Sequence, residues 1–177
     1  MESNKLTAPA AEETDNDQLA ARLAAHPFLA GMNERHLKIL SACATATHFE
    51  PGQIIFRAGE PANGFYLLET GHVVLEEPHP GGEPVTIDVV AAGEPLGWSW
   101  LFPPYLWQLD ARAVEPCRAL CLSGILLRQH REEDLFLSHE LFKRTCEVMV
   151  RRLQAARTRL SGAQRAAGQT KDKTSFV

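Results

Sequence analysis

The chain has 177 residues, the size of one compact domain that can bury a core without disulfide or metal staples. Hydrophobic residues make up 45% and charged residues 23%, and 18 Lys and Arg against 22 Asp and Glu leave a net charge of −4. That balance excludes a protein whose whole surface is a nucleic-acid footprint, and no apolar run approaches the ~18 residues of a membrane span.

The opening residues mix Glu, Asp, Asn and Lys and hold no apolar signal-peptide core. Cys43, Cys117, Cys121 and Cys146 are scattered, without a CxxC, which reads as reduced thiols of a cytoplasmic protein. Residues 1–16 have almost nothing to bury and are expected to be disordered. Residues 162–177 read as a flexible tail, so the folded domain is expected at 17–161.

In chain order, Leu19, Leu23 and Ala24 give a short helical stripe. Asn33 then precedes Glu34–Leu40 as an N-cap, with Met32 and Leu37 at the positions of a hydrophobic staple. From about Thr45 to Leu122 the apolar residues come in short runs broken by turn chemistry such as Pro51-Gly52, Asn63-Gly64 and Gly71. Strands are expected at 46–50, 53–57, 65–70, 72–77, 85–90 and 109–122, the last with a break at Pro116. Many short strands at near-regular spacing indicate an antiparallel sandwich or barrel. The stretch from about 134 to 161 contains no Pro or Gly and reads as a long C-terminal helix. Along it Phe142, Cys146, Met149, Leu153, Ala156 and Leu160 follow a heptad spacing. Such a stripe serves either as a homodimer seam or as the face of a helix laid on its own barrel.

Four stretches together resemble the cyclic nucleotide-binding domain family. His26-Pro27-Phe28-Leu29 through Leu37–Leu40 is similar to its entry helices. Phe49–Glu60 is similar to its second and third strands, and Phe65–Val73 to its central hairpin. Val89 through Gly97 resembles the strand that leads into the family's phosphate-binding cassette. The resemblance covers about residues 20–160 and implies a mainly β fold: an eight-stranded antiparallel jelly roll with N-terminal helices and a long C-terminal helix. It also implies a regulatory, ligand-sensing role, with a cyclic nucleotide or another small molecule as the ligand.

In the family a Gly-Glu pair opens the cassette. The Glu holds the ribose 2′-hydroxyl, and an Arg further along pairs with the cyclic phosphate. Here the matching positions are Gly97-Trp98 and Trp107. The diverged cassette is thus Gly97, Trp98, Ser99, Trp100 and Leu101, with Trp107 and Gln108 following. Glu94 falls at a turn position. Strand alternation places Arg112 with Asp110 on the polar face, opposite Trp107, Ala111 and Ala113. Loss of a charge-assisted Arg pair costs ~2–5 kcal/mol, so ordinary cyclic-nucleotide binding is expected to be weak or lost. The aromatic residues Trp98, Trp100, Phe102, Tyr105 and Trp107 then either fill the pocket or remodel it for a flat or apolar ligand.

Cys117 and Cys121 stand four apart on a strand, too distant for one metal, and the histidines show no HxH or HExxH spacing. No metal site is expected. No P-loop, Gly-x-Ser-x-Gly or catalytic triad pattern is present, so the chain reads as non-catalytic. Residues 138–160 carry six Arg and Lys against Glu140 and Glu147, or +4, leaving −8 elsewhere. Only 16 residues follow Ser161, too few for a winged helix-turn-helix. Neither nucleic acid nor membrane is an expected partner; a second copy or a partner protein on the C-terminal helix is.

Overall fold

The computed structural model describes the backbone of residues 9–79 and 81–173, and the side chains of 16–79 and 81–162. Two helices open the chain, α1 (Pro9–Ala25) and α2 (Glu34–Ala42). Eight strands follow: β1 (Ala44–Phe49), β2 (Ile54–Phe56), β3 (Gly64–Thr70), β4 (His72–Glu77), β5 (Val85–Ala91), β6 (Pro95–Leu96), β7 (Asp110–Ala113) and β8 (Cys117–Ser123). Two helices close it, α3 (Gly124–Glu133) and α4 (Leu135–Lys173). The strands form two four-stranded antiparallel sheets, ordered β1-β8-β3-β6 and β2-β7-β4-β5. This is the mainly β, helix-flanked roll expected from the sequence, built as two facing sheets.

Alternation along the strands divides the apolar residues into two layers. Leu68, Val73, Leu75, Ala111, Ala113 and Ala119 belong to the core between the sheets. Leu67 and Leu120, next to them in sequence and paired with each other, point to the opposite face of the first sheet and are fully buried. On that face Phe28 meets Phe65 edge-on at 5.3 Å. The chain reaches this layer through a capped start: Asn33 Oδ1 accepts from His36 N–H at 2.8 Å, and Met32 and Leu37 are both buried.

The expectations for the chain ends need correction. Helix α1 begins at Pro9, so residues 9–16, expected to be disordered, are helical; residues 1–8 lie outside the described residues. Proline suits the first helical position, and the run that follows is rich in Ala and Glu, both good helix formers. Helix α4 likewise continues through 162–173, expected to be a flexible tail, in a stretch of Ala, Gln, Arg and Lys; residues 174–177 lie outside the described residues. Helix α3 and the two-residue strand β6 were not anticipated. Residues 9–138 form one compact unit with the sheets, and α4 from His139 onward is a second unit.

Gly71 makes the β3–β4 hairpin possible. Its φ is +86°, and a Cβ there would stand 2.6 Å from Cys117 Sγ and 2.7 Å from the Pro116 carbonyl. Gly71→Ala combines a left-handed backbone penalty with a backbone clash and is expected to cost about 3 kcal/mol or more in denaturant unfolding.

His26 gives a pH-dependent contribution. Its Nδ1 accepts from Phe28 N–H at 3.2 Å, so the proton sits on Nε2 and is donated to the Leu68 carbonyl at 3.1 Å. Burial holds the imidazole below its ordinary value of 6.5, against the opposing pull of the Leu68 carbonyl and Glu69. A His with a depressed folded value stabilises the protein above 6.5, and this contribution fades as pH falls through the folded value. Urea unfolding between pH 7.5 and 5 is expected to show the wild type losing stability more steeply than His26→Gln.

Candidate functional site

The cassette begins where β6 ends. Tyr66 of β3 pairs with Leu96, and Gly97 then turns the chain with φ +86° into a single 3-10 turn, Trp98–Leu101. A Cβ on Gly97 would lie 2.8 Å from Cη2 and Cζ3 of Trp107 and 3.5 Å from Phe56. Glycine is required here because the Trp107 ring occupies the space against the backbone.

Trp107 is 5% exposed and stacks on Phe56 with ring centroids 3.9 Å apart and planes 13° from parallel. Phe56 in turn stacks on Tyr66 at 6.1 Å, and Tyr66 meets Phe49 edge-on at 6.0 Å. The result is an aromatic column between the two sheets. Its backbone is fixed too: Trp107 N–H donates to the Glu60 carbonyl, and Gly59 N–H donates to the Trp107 carbonyl, both at 2.9 Å. Burial, and secondarily Cys121, pushes the Tyr66 phenol well above its ordinary value, so the column carries no charge at physiological pH.

The aromatic residues that cluster in sequence do not cluster around one pocket. Trp100 is fully buried with its ring 5.7 Å from Phe65, on the helix-covered side of the β1-β8-β3-β6 sheet, and Leu101 is buried as well. Trp98 and Ser99 are half-buried, and Gln108 is exposed with its Nε2 donating to the Leu106 carbonyl at 3.1 Å. Glu94 caps its own turn, accepting from Ala91 N–H at 2.9 Å. Arg112 points away from Trp107, as alternation requires, and is held by Glu76. Its Nε donates to Oε2 at 3.0 Å, and its terminal nitrogen reaches Oε1. That bond to Glu76 keeps the guanidinium firmly charged.

Two residues that the sequence did not single out grip the cassette. Arg128 of α3 donates to the carbonyls of Ala62 and Trp100, at 3.2 and 3.3 Å, and to Asn63 Oδ1 at 3.1 Å. Its guanidinium also lies 4.8 Å from the Tyr105 ring centroid. One turn further on, Arg131 donates to the Leu101 carbonyl at 3.0 Å. The only sequence signal was an Arg pair three apart, which is ordinary on any helix surface. Among the described residues no three His, Cys, Asp or Glu side chains are placed to share a metal, and no helix is long and apolar enough to cross a membrane.

The predicted C-terminal stripe lies on α4. Phe142, Met149, Leu153 and Leu160 are exposed, and Cys146 and Ala156 are half-buried. The start of α4 is anchored by Asp134, whose Oδ1 accepts from the Phe136 and Leu137 N–H groups at 3.1 and 3.0 Å. Its Oδ2 meets Arg35 at 2.9 Å.

A family sequence model described as cyclic nucleotide-binding domain matches residues 46–134. A Geobacter metallireducens GS-15 structure described as a cyclic nucleotide-binding protein is 28% identical with a TM-score of 0.70, covering 76% of this chain and 97% of that one. A cyclic nucleotide-binding domain from Methylobacillus flagellatus KT superposes with a TM-score of 0.69 at 16% identity, over 85% of each chain. The acetyltransferase Pat of Mycolicibacterium smegmatis is 36% identical over 70 residues, which are 40% of this chain and 21% of that protein. The chain thus spans about a fifth of the length of the curated relative it matches. With the family match running from the first strand through α3 to the start of α4, this chain belongs to the cyclic nucleotide-binding domain family.

Proposed function

We propose that the chain is a non-catalytic regulatory module of this family whose nucleotide pocket has been closed by its own tryptophan. The observation that carries the reading is the Trp107 ring, stacked on Phe56 and seated against Gly97, at the position where the family places its phosphate-binding Arg. No guanidinium replaces it within the cassette turn or β7. Arg112 is committed to Glu76, and Arg128 and Arg131 spend their donors on backbone carbonyls. A cyclic phosphate entering this space would lose its hydration without a cationic partner. Trp98 stands where the family's ribose Glu would be, so the sugar lacks its acceptor too. Any ligand retained by Gly97, Trp98, Ser99, Trp100, Leu101, Trp107 and Gln108 must therefore be flat or apolar rather than an ordinary cyclic nucleotide. The four free cysteines support a cytoplasmic setting for residues 17–161.

Calorimetry is expected to give dissociation constants weaker than ~100 μM for both cyclic AMP and cyclic GMP. Low-micromolar binding of either would overturn the reading. The double variant Trp107→Arg, Trp98→Glu is expected to gain measurable cyclic-nucleotide affinity, since it vacates the space and restores both charged contacts.

A second reading concerns α4. We infer that the module self-associates through the stripe from Phe142 to Leu160. Leu153 is 71% exposed and Leu160 65% exposed, which supports the reading because two large aliphatic side chains in water on one helix face favour a covering surface. The flanking Arg151 and Arg157 disfavour a close parallel pair, unless their heads splay into water while their stems cover the seam. In sedimentation, the wild type is expected to be a dimer and Leu153→Asp a folded monomer. Monomers in both cases would remove the dimer and leave a scaffold for a different partner protein.

A further inference from the structure

The outer face of the β1-β8-β3 sheet carries a site unrelated to the cassette. Along β3 and β8 the register runs Leu67↔Leu120 and Leu68↔Ala119, then jumps to Thr70↔Arg118, leaving Glu69 as the extra residue of a β-bulge. Without the bulge, Thr70 would turn into the core. With it, Thr70 lies outward beside Arg118, and Arg118 lies beside His48 of β1. Three strands thus contribute one outward row of polar side chains. From above, Arg22 of α1 receives the bulged Glu69 with two parallel bonds, Nε to Oε1 at 2.9 Å and the terminal nitrogen to Oε2 at 2.6 Å. Together with Ala46 and the β1 main chain at Thr47, these residues line a cleft of about 470 Å³.

The charge of this cleft is uneven. Glu69 is neutralised by Arg22. The Arg118 guanidinium meets no carboxylate among the described residues; only its backbone N–H is engaged, donating to Thr70 Oγ1 at 3.2 Å. Because Thr70 accepts that bond, its own O–H is left to donate. The cleft therefore offers one uncompensated arginine fork, a histidine ring and the Thr70 hydroxyl, with net charge near +1. A planar fork with a flanking hydroxyl donor matches two oxygens of a carboxylate or phosphate.

We propose that this cleft binds a small metabolite through an oxyanion group. Arg118 takes two of the oxygens, Thr70 and His48 supply further donors, and the Arg22–Glu69 pair forms the wall. The site lies on the opposite side of the sheet from the Trp107 column and includes none of the cassette residues, so it stands or falls independently of the closed pocket.

The test is a nuclear magnetic resonance titration of the isotope-labelled full chain with inorganic phosphate and, separately, with succinate, against chloride at matched ionic strength. Saturable shifts at the Thr47, Thr70 and Arg118 amides are expected with at least one of the two anions. Phosphate alone would indicate a phosphorylated ligand and succinate alone a carboxylate; saturation by both would establish the shared oxyanion chemistry. Arg118→Gln, with the wild-type melting temperature, is expected to weaken binding about tenfold or more. Shifts no larger than those with chloride would overturn the proposal, as would an affinity unchanged in Arg118→Gln. Should that variant fail to fold, His48→Gln carries the test, and an unchanged affinity there would also overturn it.

Discussion

The space between the two sheets is filled from within, and the rest of the site follows from that. Phe49, Phe56, Tyr66 and Trp107 pack there as one aromatic column. Stacking on Phe56 buries one face of the indole, and Gly97 lets the other edge approach the cassette backbone to a distance no Cβ would allow. Offset aromatic stacking contributes ~0.5–1.5 kcal/mol beyond simple burial, and the indole itself buries ~150–250 Å². The ring is also pinned by two backbone bonds to Gly59 and Glu60, so withdrawing it would disturb the β2–β3 loop as well as the core. The indole is thus held by packing while its backbone is held by hydrogen bonding.

The cassette turn is gripped from the α3 side as well. Arg128 and Arg131 donate to the carbonyls of Trp100 and Leu101, acceptors that a short 3-10 turn cannot satisfy internally, and Arg128 also to that of Ala62 in the loop before β3. Hydrogen bonds from a charged donor contribute ~1.5–3 kcal/mol each, so displacing the turn without moving α3 would break several such bonds. The turn and α3 therefore behave as one mechanical piece, whether or not the pocket inside holds anything.

How much of this was legible depended on the kind of interaction. The strands from β1 to β5 and the Asn33 cap are local, written in short apolar runs and turn residues, and they were read to within two residues. That Trp98 and Trp107 stand where the resemblance implies charged contacts is a matter of residue type at a register, and the proposed function rests on it. The direction of Arg112 followed from alternation alone. What did not follow was the separation of Trp100 from Trp107. Seven residues apart, they lie on different sides of the first sheet, and no local period encodes that division. Helix α3 was hidden because Ser123, which caps it by accepting from Leu126 N–H, directly ends β8, leaving no loop to mark the change. The bulge at Glu69 was hidden for a related reason: one extra residue in a strand is defined only by its partner strand.

The same dependence on partners explains the junction of α3 and α4. Asp134 was read as the start of the long helix, which it is, yet its role lies in its three sets of bonds. Its N–H donates to the His130 carbonyl at 2.8 Å and closes α3. Its Oδ1 accepts the first N–H groups of α4, and its Oδ2 faces Arg35 at 2.9 Å and His36 Nε2 at 3.6 Å on α2. The Leu137 N–H, followed by the charges of Arg35 and His36, holds the carboxyl below its ordinary value, against the opposing effect of burial. A carboxylate that ends one helix, begins the next and is tied to a third fixes where α4 starts. The same α3 that Asp134 closes, ten residues from end to end, carries the two arginines that grip the cassette. The bonds at Asp134 thus tie the end of α3 and the first turn of α4 to α2, through one carboxylate and the same residue's N–H.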